Sequence, residues 1–245
     1  GPELKLEARF EPERREGGLL AIGNASLSIT TSGLEQYFAL AQSISDQVLA
    51  GGRRDEIIGC GRPSARTEQG ACVRAFIAAK GEQLFRRPLT EAETASRMAV
   101  WSNAIEQTGD FDASLKLVLT SLLVSPDFLF RVERAEAAPD GMRLDGYTRA
   151  ERLSFLLWDQ APDAELMAAA ERGDLFTEAG LRAQIDRMTA SPKLEQGVRA
   201  FFTDMLQFDA FENMAKDPAT YPKFSQAVAD SSREETLRFL VDHLV

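Results

Sequence analysis

The sequence predicts a mostly α protein, a compact multi-helix array with a small N-terminal β element. Three observations carry that prediction. From Ser32 onward apolar side chains recur at spacings of three and four, the period that keeps one face of a helix dry. Thr/Ser-x-x-Glu boxes, the reciprocal cap that starts a helix, stand at Thr90, Thr148 and Ser231. The segments between are short and rich in Pro and Gly, as in a packed array rather than domains on long linkers.

Residues 4–30 follow a different pattern. Leu6, Ala8 and Phe10 alternate with Lys5, Glu7 and Arg9; after Glu16-Gly17-Gly18, the run Leu19–Ile22 and then Leu27 and Ile29 continue as strand, with Gly23-Asn24 as a turn. Leu34, Tyr37, Phe38, Ala41, Ile44, Val48 and Leu49 lay down the first helix. Gly51-Gly52 would end it in the left-handed conformation glycine tolerates. After a cysteine loop, Val73, Phe76, Ile77, Leu84 and Phe85 mark a second helix. The run Arg86-Arg87-Pro88-Leu89-Thr90-Glu91-Ala92-Glu93 breaks it, because Pro88 lacks an amide donor, and starts another at Thr90. Leu115, Leu117, Val118, Leu119, Leu122, Leu123 and Val124 form an almost wholly apolar helix, expected at the centre of a core, which stops at Ser125-Pro126.

In the second half Thr148-Arg149-Ala150-Glu151 opens a helix through Trp158. Asp163 caps a short one over 163–172, and Thr177 and Ser191-Pro192 open two more. Pro218 and Pro222 bracket an irregular connector, and Ser231 to Glu234 starts the terminal helix. The polar, turn-forming stretch around 136–146 is the natural seam. The expected organisation is therefore a β-ribbon at 1–32 left from a preceding domain, a first helical domain with the cysteine loop at 33–135, and a second, C-terminally truncated one at 136–245. The opening Gly-Pro-Glu-Leu-Lys without Met, and a last helix with no stop signal, make both ends read as cut.

Composition excludes several classes. A 44% hydrophobic and 27% charged chain is globular rather than disordered or fibrous. Lys plus Arg is 28 against 38 for Asp plus Glu, a net charge of −10, which argues against a nucleic-acid or other phosphate-binding module. No apolar run approaches the roughly 20 residues of a membrane span.

Chemistry-bearing residues are few. Cys60 and Cys72 fit no zinc spacing, the single histidine (His243) is far off, and no metal site is expected. No Cys-x-x-Cys-His is present, so haem is not attached covalently within this chain. The cysteine spacing leaves two readings open, a short-loop disulfide or two unrelated thiols. Arg86 and Arg87 beside Pro88 could grip a carboxylate or phosphate, or pair with the chain's own acids and pin the corner. Trp158 stands at the next such corner, before Asp159-Gln160-Ala161-Pro162-Asp163; there Asp163 is better placed to cap a helix than to bind a cation. Phe201, Phe202, Phe208 and Phe211 have nearly helical spacing and are expected in the core, with a ligand or partner groove as the alternative. No nucleophile elbow, Walker loop, dinucleotide fingerprint or His-Glu-x-x-His is found, and no catalytic residue is assigned.

Several stretches, in collinear order, resemble the planctomycete-type cytochrome-c-associated proteins, a multidomain bacterial family of uncharacterised function. They are Leu84-Phe85-Arg86-Arg87-Pro88-Leu89-Thr90-x-x-Glu93 and Leu122-Leu123-x-Ser125-Pro126-x-Phe128-Leu129-Phe130-Arg131-x-Glu133, then Leu144-Asp145-x-Tyr147 and Arg152-Leu153-Ser154-Phe155-x-Leu157-Trp158. Pro162-Asp163-x-Glu165-Leu166, Gly173-x-Leu175, Arg187-Met188, Tyr221-Pro222-x-Phe224 and Arg233-Glu234-Glu235-Thr236 continue the likeness. The resemblance implies an exported protein, periplasmic or cell-envelope or extracellular, with haem c in a partner chain or a flanking domain. Relatives carry paired cysteines at this place, which implies a Cys60–Cys72 disulfide. Two functions follow: a helical structural or docking module that supports a redox partner or domain, or part of an extracytoplasmic oxidoreductase acting on an extracellular organic or polysaccharide-derived substrate, with Arg86, Arg87 or Trp158 near it.

Overall fold

The computed structural model describes residues 4–6, 15–20 and 29–244. Among these are eleven α-helices and one two-stranded antiparallel sheet, so the chain is mostly α with a small β element. It divides into two units. Residues 29–134 with 4–6 form the first, and 135–244 with 15–20 the second.

In the first unit, α1 (Thr31–Ala50) starts where the Thr30 side chain accepts a hydrogen bond from the Gly33 amide at 3.0 Å. It ends at Gly51, whose φ of −72° is extended rather than left-handed as the sequence predicts. The left-handed turn falls instead at Gly59 (φ 83°), closing α2 (Arg54–Ile58), a five-residue helix too short to show a period. α3 (Arg66–Phe85) carries Cys72, and α4 (Glu91–Thr108) begins at the Thr90–Glu93 capping box, both halves of which form. α5 (Phe111–Leu123) is capped by Asp110, and α6 (Pro126–Leu129) is a single turn started by Pro126.

As its composition requires, α5 is central, packed on α1 and α4. Leu115, Val118 and Leu122 are wholly buried against Val73, Phe76 and Ile77 of α3. Truncating one of these leucines to Ala would cost about 2–5 kcal/mol. The buried Ser45 hydroxyl donates to the Ala41 carbonyl at 2.7 Å and shares one hydrogen bond with the Thr120 hydroxyl across α1 and α5 at 3.1 Å.

The second unit opens with a hairpin, β1 (Ala135–Ala138) and β2 (Gly141–Leu144), in which Ala135 faces Leu144 and Ala138 faces Gly141. The stretch the sequence marks as a polar seam is thus the turn of a two-strand ribbon: Pro139-Asp140 supplies the two-residue connection. Of the ribbon expected at 4–30, most lies outside the described residues. Within them Glu16 and Leu19 form an antiparallel bridge across Gly17-Gly18, both at positive φ.

α7 (Gly146–Trp158) begins two residues before Thr148. Asp145 is its cap and accepts from the Thr148 amide at 2.7 Å, which corrects the box read at Thr148–Glu151. α8 (Ala164–Glu171) is capped by Asp163 as expected. A 3₁₀ turn (Asp174–Phe176) leads to α9 (Glu178–Thr189), capped by Thr177, and then to α10 (Lys193–Met205). A second 3₁₀ segment (Phe208–Asn213) and the Pro218–Pro222 connector precede α11 (Gln226–Leu244). That helix starts after Ser225, whose carbonyl accepts from the Val228 and Ala229 amides, so Ser231 is interior and its box starts nothing. The core is formed by Trp158, Leu166, Leu175 and Met188 with Ala150 and Ala169. Phe208 is buried, but Phe201 is half-exposed, because α10 meets α7 through the bare backbone of Gly197. Among the described residues no helix is long and apolar enough to cross a membrane.

Candidate functional site

Arg86 and Arg87, adjacent at a helix break, stand in the first unit where α3 gives way to Pro88. Arg86 ends α3 in the left-handed conformation (φ 56°), unfavourable for any residue with a Cβ. Its guanidinium is held by main-chain oxygens. Nη2 donates to the carbonyls of Asp127 and Phe130, both at 2.8 Å, while Nη1 donates to Leu84 at 3.0 Å and Phe128 at 3.4 Å. Most of these carbonyls belong to the end of α6, where a helix leaves its acceptors unpaired and a cation is favoured.

Arg87 takes the other side of the corner. Its fork meets the Glu93 carboxylate at 2.9 and 2.6 Å, and Nη2 also reaches Asp127 Oδ1 at 2.8 Å. Asp127 is shared with Arg134. Glu93 also accepts from the Thr90 amide at 2.8 Å, so a single carboxylate caps α4 and pairs with Arg87. That hydrogen bond from Arg87 is the main reason the Glu93 carboxyl is held down to about 2, against the opposing effect of burial. The same contact raises the Arg87 guanidinium above its ordinary range. Both arginines are buried, at 8% and 7% exposure.

A second cationic cluster holds the cysteine loop. Cys60 and Cys72 form a disulfide, their Cα atoms 6.2 Å apart. Arg54, itself buried, donates to the Cys60 and Gly61 carbonyls and to Asp112 at the start of α5, and Arg62 reaches the other oxygen of Asp112 at 2.6 Å. Burial opposes ionisation of Asp112, but the two arginines hold its carboxyl below the usual range.

In the second unit Trp158 is 1% exposed and its indole N–H donates to the Met188 carbonyl at 3.0 Å. Arg187 lies over the ring and binds Asp163 at 2.7 and 3.0 Å, while Asp163 caps α8. Burial works against the Asp163 charge; hydrogen bonds from Arg187 and the Leu166 amide outweigh it and lower its pKa. Trp158 therefore lies beneath an ion pair, with Lys193 also over its ring.

The residues singled out in the sequence thus fall into separate settings: Arg86 and Arg87 at one corner, Cys60 after α2 bridged to Cys72 on α3 in the same unit, and Trp158 in the other unit. Asp127, Arg54, Asp112 and Arg187 were not anticipated as their partners. A Pro-started turn bearing an Asp is the one local signal for Asp127, and it does not identify which distant cation it meets. Among the described residues no three His, Cys, Asp or Glu side chains converge as a metal site would.

Two segments match family models. Residues 72–133, which include the Arg86-Arg87 corner, match PSD5, described as a protein of unknown function (DUF1595). Residues 144–245, which include Trp158, match PSD4, a protein of unknown function (DUF1592). Two stretches of the chain are thus similar to families of uncharacterised proteins. Comparison with curated proteins and with solved structures gave no match.

Proposed function

We propose that the chain is a helical docking module of an exported, c-type-cytochrome-associated multidomain protein, holding a redox domain or partner subunit in place. One observation carries this reading. At the Arg86-Arg87 corner both guanidinium groups are bound by the chain's own oxygens, so the cluster acts as a clasp between α3, α4 and α6. The Cys60–Cys72 disulfide supports an oxidising compartment, periplasm or cell envelope. The two adjoining family modules support a multidomain parent.

The chain's own residues do not fit covalent haem attachment. Cys60 and Cys72 are bonded to each other, and His243, the single histidine, contacts the Phe239 carbonyl on α11. Haem c belongs, on this reading, to the partner or flanking domain. The test is to isolate the native assembly through this polypeptide and record its absorbance. A Soret band in fixed proportion to the chain is expected; a complete assembly without haem would overturn the reading.

A further inference from the structure

The end of α10 carries a charge that its position disfavours. Asp204 stands in the last turn of the helix, where unpaired carbonyls favour a cation over a carboxylate. Just beyond, Gln207 takes the left-handed conformation (φ 55°), unfavourable for a residue with a Cβ, and leads into the 3₁₀ segment that holds Asp209. Asp204 and Asp209 meet one and the same guanidinium, so two like charges share this turn.

The compensating cation comes from far upstream. Arg15 Nη1 donates to the Asp204 carboxylate and, at 2.9 Å, to the Asp204 carbonyl, while Nη2 reaches Asp209 Oδ1 at 2.9 Å. The Leu20 amide donates to both Asp204 carboxylate oxygens at 3.1 Å. Between these anchors Gly17 and Gly18, at φ 60° and 88°, turn the chain tightly enough for Arg15 Nη1 to donate also to the Gly18 carbonyl at 3.0 Å. Residues 15–20 lie outside the matched stretch 144–245, yet they belong to the second unit.

We infer that residues 15–20 are a releasable strap: Arg15 closes the turn between α10 and the 3₁₀ segment, and its departure loosens that turn while the rest of the unit stays folded. The grip is ionic, with Arg15 and Asp204 partly buried and Asp209 exposed, so salt weakens it. Among the described residues the unit's core is built on Trp158, Leu166, Leu175 and Met188 and takes no side chain from the strap, so release leaves that core intact.

Hydrogen exchange on the full chain tests this, read at the Leu206, Gln207 and Ala210 amides, whose hydrogen bonds span the turn. Arg15→Gln should speed their exchange by about tenfold or more, while α7 and α8 of the same unit and α5 of the first stay within about twofold of the parent. The second measurement needs no substitution. Raising salt from about 0.05 to about 0.5 M should speed the same amides relative to α7 in the unaltered chain, and should lose that effect in Arg15→Gln. Unchanged exchange in the variant, or no selective response to salt in the unaltered chain, would overturn the strap. Equal acceleration throughout the second unit would overturn it too, because Arg15 would then be a general stabilising contact rather than a local closure.

Discussion

Arg87 and Asp127, forty residues apart in sequence, meet at 2.8 Å and join the corner between α3 and α4 to the single turn of α6. Asp127 also binds Arg134, and Glu93 binds Arg87 from the other side, so two carboxylates and two guanidinium groups share one partly buried site. Removing one member of such a set leaves its partners uncompensated, which costs more than the intact pair contributes.

Arg86 makes a sharp test because its backbone and its side chain pull in opposite directions. The left-handed conformation disfavours a Cβ, while the guanidinium satisfies four carbonyls. Arg86→Ala loses the hydrogen bonds and keeps the strain; Arg86→Gly loses the bonds and relieves it. Urea unfolding should find both less stable than the parent, by about 2–3 kcal/mol for Ala, with Gly about 1 kcal/mol less affected. A glycine variant at least as stable as the parent would show that the side chain holds nothing.

Glu93 gives the clasp a pH dependence. Its carboxyl is held near 2, below the ordinary 4.5, so as pH falls the unfolded chain takes up the proton first. The stabilisation is complete above the ordinary value, fades between roughly pH 5 and 2, and is on the order of 3 kcal/mol. Glu93→Gln should flatten that part of the stability–pH curve. A variant curve parallel to the parent's across the window would contradict the assignment.

The disulfide closes a short loop, for which chain entropy gives about 3 kcal/mol. Arg54 still anchors the Cys60 and Gly61 carbonyls when the bridge is absent, so Cys60→Ser with Cys72→Ser should lose about 2–3 kcal/mol and remain folded. Intact mass should rise by two hydrogens on reduction; an unchanged mass would mean that no bridge forms.

Gly197 is where α10 touches α7, and a Cβ there would lie 2.1 Å from the Leu157 carbonyl oxygen. Main-chain atoms cannot step aside as a side-chain tip can. Gly197→Ala should therefore destabilise by more than about 2 kcal/mol despite its better helix propensity. A neutral result in calorimetry would show that the two helices are not packed this closely.

Local chemistry was legible in the sequence and distant pairing was not. The Thr90–Glu93 box, the Asp163 and Thr177 caps and the buried α5 depend on residues within a turn or two of each other, and all form. Thr148 and Ser231 failed as starts because the same box pattern fits a helix interior, and Asp145 and Ser225 lay upstream to begin the helices earlier. The hairpin at 135–144 was hidden by strands of four residues, too short for an alternation to stand out. Arg86 and Arg87 were visible as a pair, but their partners on α6 are set by how α3, α4 and α6 pack, which no local pattern encodes.

The Arg87 corner acts as a structural clasp. A double-mutant cycle with Arg87→Ala and Asp127→Ala, followed by urea unfolding, measures that directly. Each single change is predicted to cost about 2–4 kcal/mol, with a coupling of about 1–3 kcal/mol because the second change removes a partner already lost. Additive losses, or single changes within about 0.5 kcal/mol of the parent, would contradict it and return Arg87 to the pool of groups free to bind something else.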